Sequence, residues 1–331
     1  MKHSISEESS RKIVNLSFLC AIFVCIIHVK WPTETETGWL LVFLFKQMIC
    51  AVGVPFFFVV SGYFLVRHCE EPGWWGMAVR KRIGTLVIPY CVWQFVSAFV
   101  YLLFEHRWSL RLGGFGLNPF IPPSLVPLWY LRTLMIFVVA SPLVVKALKR
   151  WGRGFLVVAF VANLVVGVFA AQGMIPEESR VGGLVYYTFS VRGILYFSLG
   201  AYLALRPMTL SQRAGNLCGV VALAFMVVQL AVFHFHWAVP FDFCVFVLPT
   251  LMAFLWVHAP ATRMPSVLAQ ATFPVYLMHA IIYAALRFVG VFSGMSGAWC
   301  ELFVGVSFSI LVSAILHRFC PFLARLAFGG R

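Results

Sequence analysis

The chain has 331 residues, of which 62% are hydrophobic and 11% charged, with a mean hydropathy of +0.92 and a formal charge of +14. A water-soluble fold cannot hide that much apolar surface, and no soluble basic face with interleaved aromatics occurs, so a soluble enzyme and a nucleic-acid-binding module are both excluded. The composition predicts an all-α, polytopic transmembrane helix bundle of about ten helices, a single domain over 1–331, because a bilayer core takes about 20 apolar residues per helix.

In chain order, the first apolar stretch runs near 13–30, after Arg11 and Lys12. It resembles a secretory signal, but no small-residue cleavage site follows and Lys30-Trp31-Pro32 comes next, so a retained first helix is expected. His28 lies near its outer end. The second stretch, 39–66, is about 42 Å long as a helix, more than a bilayer needs. Gly53-Val54-Pro55 interrupts it, which predicts a break or re-entrant turn lining a cavity.

Further spans are predicted at 83–104, 125–145, 154–171, 181–205, 214–233, 240–258, 271–291 and 299–317. The connection 105–124, with Arg107, Trp108, Arg111, Pro119, Pro122 and Pro123, reads either as cover for an external site or as a plain connector. The nine cysteines show no C-x-x-C pair and no metal-type spacing, so neither a disulfide framework nor a metal site is expected.

Lysine and arginine set the orientation, because they are retained on the cytoplasmic side of short loops. With the N-terminus inside, 17 of the 25 fall in cytoplasmic segments. Only Lys30, Arg107, Arg111 and Arg180 fall in outer ones. Both termini are therefore expected in the cytoplasm, with anionic membrane lipid as the partner of the basic loops and a bacterial inner membrane as the location.

Four cations, Lys46, Arg132, Arg192 and Arg287, fall inside spans, where an ionisable side chain costs roughly 2.5–3.5 kcal/mol unless it faces a polar cavity. The only acids near spans, Asp242 and Glu301, sit close to predicted outer ends within reach of water. No mid-membrane carboxylate is therefore expected to neutralise the four. Such an interior suits an anionic ligand bearing phosphate, pyrophosphate or carboxylate, and argues against a proton-driven transporter. The alternative is that Lys46 and Arg287 snorkel to an interface. His28 and His279 are candidates for a general base near neutral pH, or else an interfacial polar tip and a helix–helix hydrogen bond.

Gly53-Val54-Pro55-Phe56-Phe57-Phe58-Val59-Val60-Ser61-Gly62-Tyr63 resembles the FF-x-x-SG-[YF] signature of the type 3 acyltransferase family of membrane proteins. Arg80-Lys81-Arg82 ahead of Pro89-Tyr90, Pro127-Leu128-Trp129-Tyr130-Leu131, Phe197-Ser198-Leu199-Gly200-Ala201-Tyr202 and Phe273-Pro274-Val275-Tyr276-Leu277-Met278-His279 are similar to later family motifs in the same order. The resemblance covers nearly the whole chain. It implies ten membrane helices that move an acyl group, usually acetyl from cytoplasmic acetyl-CoA, to a hydroxyl or amine of a glycan or glycolipid at the far face. It also implies His28 as catalytic base and Arg80, Arg82, Arg132 and Arg192 as donor-binding residues, with Ser61, Trp129, Tyr130, Tyr276 and His279 in the cavity and no metal.

One departure stands out: the family's helix 1 carries a basic residue eleven positions before its histidine, and here Ser17 occupies that place. Val14-Asn15-Leu16-Ser17 stands where the family often has Asp-x-x-Arg, with Val14 and Ser17 at the charged positions, so both charges are absent together. Arg132 or Arg192 is expected to supply the missing charge beside Ser17 or His28. A transporter of a small anionic or amino-acid solute and a catalytically silent membrane sensor are the other two classes.

Overall fold

A computed structural model describes residues 5–33, 36–105, 128–176, 179–235, 239, 243–290 and 294–330. Arg107, Trp108, Arg111, Pro119, Pro122, Pro123 and Asp242 lie outside them. Among the described residues nine helices are long and apolar enough to cross a bilayer. They are α1 (Glu7–His28), α2 (Gly38–Val66), α3 (Trp74–Val100), α4 (Leu128–Trp151), α5 (Arg153–Ala171), α6 (Arg180–Leu205) and α7 (Gln212–His234), then, after α8, α9 (Ser266–Val289) and α10 (Gly294–Phe319). The 15-residue apolar α8 (Cys244–His258) stands where the span 240–258 is expected. The chain is thus an all-α polytopic bundle.

A short helix that the hydropathy pattern does not predict, α11 (Pro321–Phe328), follows α10 and packs on α3. Trp93 Nε1 donates to Ala327 O at 2.9 Å, and the Trp93 and Phe328 rings stack. Its eight residues are too few for a hydropathy window, and Pro321 at its first turn marks the start only in hindsight.

Two glycines explain why the signature segments pair. A Cβ at Gly62 would lie 2.1 Å from Phe197 O, and one at Gly200 would lie 1.9 Å from Val59 O. The backbones of α2 and α6 therefore touch at both points, as small residues allow in helices that have no water to drive their association. A third close approach, Gly53 against Cys20 O at 2.8 Å, seats α2 on α1. By contrast, α5 and α7 bury few side chains, Ala159 and Asn163 in α5 and Gly215, Ala222, Gln229 and Val232 in α7. Their remaining apolar faces are left for lipid.

The expected break in α2 is not found there. Leu44–Ile49 is wound as π-helix and Cys50–Val52 as 3₁₀-helix before α-helix resumes at Gly53. Pro55 falls in the first turn of the segment that resumes at Gly53, where proline is tolerated, and the backbone stays helical throughout. The interruption falls in α6 instead. Ser190 takes a left-handed φ of 41°, strained for a residue with a Cβ, and its Oγ accepts from Gly193 N at 3.1 Å to start Val191–Leu205. A serine gives no warning of such a bend in sequence, where glycine or proline would.

Lys30 N donates to Glu301 Oε2 at 3.3 Å, which sets the C-terminus of α1 beside the first turns of α10. The two helices are antiparallel, so the start of α1 and the end of α10 share the opposite end of the bundle.

Candidate active site at the end of helix 1

A cavity of about 590 Å³ opens where α1 ends and where α4 and the helical part of α6 begin. Its wall includes His28, Trp129, Tyr130, Arg192 and Tyr276, together with Pro55, Asn163, Tyr186, Tyr187 and Ser190. No Asp or Glu is among the described lining residues. Strain at Ser190 sits on the cavity wall, where it turns α6 so that Arg192 faces inward, in line with the tendency of strained backbone to cluster at functional sites.

Behind His28 lies His279. The two rings stack with centroids 5.2 Å apart and planes 28° apart. His279 is fully buried, and its Nδ1 lies 3.1 Å from Val275 O. A carbonyl can only accept, so Nδ1 carries the hydrogen of the neutral ring and Nε2 is left as a buried lone pair without a partner. The pair thus offers one imidazole open to the cavity and a second with an unused acceptor.

The last turn of α1 is held by cations. Arg287 forms a two-point pair with Glu301, Nε to Oε1 and Nη2 to Oε2 at 2.8 Å each, and the same Nη2 donates to His28 O at 2.9 Å. Lys46 Nζ donates to Val29 O at 3.3 Å, and Trp31 Nε1 to Ile26 O at 3.0 Å. These donors occupy carbonyls that a helix C-terminus leaves open, and the two positive charges complement its dipole. They fix the backbone from which the His28 ring projects.

This arrangement corrects two expectations. Glu301, whose side chain is 6% exposed, does neutralise one of the span cations, Arg287. Spacing along the chain hid it, because the two residues lie on different helices that meet only in the fold. Nor does a hydrogen bond join Arg132 or Arg192 to Ser17 or His28 among the described residues; the cations that act on His28 electrostatically are Lys46 and Arg287. Between Val14 and Ser17, Asn15 donates Nδ2 to Pro260 O at 2.7 Å and to Thr262 O at 3.0 Å, which ties α1 to the connection between α8 and α9.

The remaining expected residues divide. Ser61 Oγ meets Tyr130 OH at 3.1 Å, and the Tyr130 and Tyr276 rings lie 5.8 Å apart, so α2, α4 and α9 jointly form an aromatic wall. Half-buried Arg82 is within electrostatic reach of Tyr130, whereas Arg80 is exposed. Arg132 is buried, donates to Thr188 Oγ1 at 3.2 Å and does not line the cavity. Among the described residues no His, Cys, Asp and Glu cluster could hold a metal ion, and all nine cysteines are free.

A multi-pass helical membrane protein with a stacked histidine pair beside an aromatic cavity whose described lining has no carboxylate is the class that this fold and site define. The chain belongs to the type 3 acyltransferase family, whose profile, described as an acyltransferase domain, matches residues 15–318. It is 24% identical over 249 residues to the succinoglycan biosynthesis protein ExoH of Rhizobium meliloti (strain 1021), covering 67% of this chain and 61% of that one. It is also 25% identical over 225 residues to an amino-acid racemase of Enterococcus faecalis, covering 60% of this chain and 29% of the racemase. The chain therefore spans less than two thirds of either relative. No solved structure matches it.

Proposed function

We propose that this protein transfers an acetyl or other short acyl group from acyl-CoA to a hydroxyl or amine of an extracytoplasmic glycan or glycolipid. The observation that carries the reading is His28, open to the cavity at a helix end tied down by four backbone–side-chain hydrogen bonds, three donated by Trp31, Lys46 and Arg287 and one accepted by Glu301. A base on a rigid element is what proton abstraction from a weak nucleophile requires. Family membership supports acyl transfer, and similarity to a succinoglycan biosynthesis protein supports a polysaccharide acceptor.

In this reading Arg82, and Arg80 beside it, meet the phosphates of the donor at the cytoplasmic end, and the donor's long arm reaches past Tyr130 into the cavity. The acceptor oxygen attacks the thioester carbonyl while its proton passes to the His28 imidazole. The new C–O bond forms, the C–S bond breaks, and the proton returns from His28 to the departing thiolate to give free CoA. Arg192 faces the negative charge that gathers on the carbonyl oxygen. The uneven distribution of lysine and arginine supports the corresponding orientation in a bacterial inner membrane.

The test combines purified protein with intact cells. Wild-type protein should release CoA from acetyl-CoA in the presence of cell-envelope glycan, and mass spectrometry of surface glycans should show one acyl mass lost when the protein is removed. His28→Ala should lower transfer by about 10²–10⁴-fold with membrane insertion unchanged. Normal acylation by His28→Ala would discard this mechanism.

A further inference from the structure

Another groove lies at the other end of the bundle, between the start of α3 and the last three turns of α4. It has a volume of about 600 Å³ and is lined by Cys69, Trp74, Pro142, Val145, Lys146, Lys149 and Arg150. The α4 members fall at i, i+3, i+4, i+7 and i+8, so they form one stripe that is apolar at Pro142 and Val145 and turns basic at its end. Helix dipole and topology explain basic residues at this terminus, but not their convergence with an indole on one concave surface. Glu70 pairs with Lys149 at 2.6 Å, and both side chains are about half exposed or more, so the pair is weak and open to exchange.

We propose that this groove binds the nucleoside end of the acyl donor, with the adenine against Trp74 and the ribose phosphate on Lys146, Lys149 and Arg150, while the diphosphate meets Arg82 and Arg80. The inference rests on the acyl-CoA reading above and adds to it the place where the donor is held. Trp74 opens the same helix that presents Arg82 about 12 Å further along. Arg82 in turn interacts electrostatically with Tyr130, which lines the His28 cavity. The groove, Arg82 and Tyr130 thus lie in sequence between a cationic surface and the cavity that holds the candidate base. Aromatic stacking suits any flat base, and clustered cations suit phosphate.

The test is equilibrium binding of acetyl-CoA and of S-acetylpantetheine, which lacks the nucleotide, to the full-length protein in neutral detergent, where membrane orientation has no influence. Trp74→Ala and the double variant Lys149→Ala/Arg150→Ala should each weaken acetyl-CoA binding about tenfold and leave S-acetylpantetheine binding unchanged. Trp74→Ala changes no charge, so it separates stacking from electrostatics. Acetyl-CoA binding at wild-type strength in both variants, or an equal loss for both compounds, would overturn the proposal. Phosphate could also come from a lipid headgroup, so the lipid retained by each protein after purification from phosphatidylglycerol nanodiscs is measured in parallel. Loss of that lipid with acetyl-CoA binding intact would make the groove a lipid site and overturn the proposal too. Wild-type protein that binds no acetyl-CoA would instead remove the acyl-CoA reading itself.

Discussion

Arg287 and Arg192 look alike in the sequence, each an arginine within an apolar stretch, but the fold treats them in opposite ways. Arg287 is neutralised by Glu301 and tied to the carbonyl of His28, whereas Arg192 stands on the wall of a cavity whose described lining has no carboxylate. The first charge has become part of the scaffold and the second is left for something that enters. A span cation is therefore a question about partners, and only the fold says whether the partner is a side chain or a ligand.

The largest effect should come from breaking the scaffold pair. Glu301→Ala leaves the Arg287 charge without its carboxylate. Loss of one partner from a fully buried pair costs about 3–5 kcal/mol. Because Arg287 is 40% exposed and partly screened, about 2–3 kcal/mol is expected here. Transfer should fall with stability, since the released guanidinium no longer holds the end of α1. Thermal unfolding in detergent measures the first and CoA release the second. A second change, Arg287→Met in the same protein, should recover much of the stability and little of the activity. Full activity in Glu301→Ala would show that the clamp does not position His28.

Arg192→Gln should behave in the reverse sense. Its removal breaks no protein–protein ion pair, so the unfolding temperature should stay within a degree or two of wild type, while kcat falls about 10²-fold through loss of charge facing the thioester oxygen. An unchanged kcat with a raised KM for acetyl-CoA would move Arg192 from the transition state to ground-state donor binding. A large loss of stability would erase the contrast with Arg287.

Much of this was legible from sequence, and the parts that were not have physical reasons. Nine of the ten expected spans appear as long apolar helices because hydropathy over some 20 residues is a property of one segment. The FF-x-x-SG and later glycine motifs marked the α2–α6 contact, although spacing alone could not say that Gly62 and Gly200 touch opposing backbone. His28, Trp129, Tyr130 and Tyr276 do converge on one cavity. The Arg287–Glu301 pair was missed because Glu301 near a predicted span end looked wet, and only the meeting of α9, α10 and the end of α1 buries it. The bend at Ser190 left no trace either, since serine commonly caps helices without taking a left-handed φ.

Lys46 gives the smallest effect and the sharpest use of the comparison, because it falls between the two arginines. It is half-buried, donates to Val29 O at 3.3 Å and has no carboxylate partner among the described residues. If it acts as scaffold, its contribution is that of one positive charge at a helix C-terminus, about 0.3–1 kcal/mol. Lys46→Met keeps most of the side-chain volume and apolar stem, so packing changes little and the difference reads the charge alone. We expect the unfolding temperature to drop slightly and transfer to fall no more than a few-fold, because Arg287 and Trp31 still hold the neighbouring carbonyls of His28 and Ile26. Should Lys46→Met instead abolish transfer with stability unchanged, Lys46 would belong with Arg192. The positive charge missing at Ser17 would then be supplied by α2, through a residue whose charge acts on the same histidine.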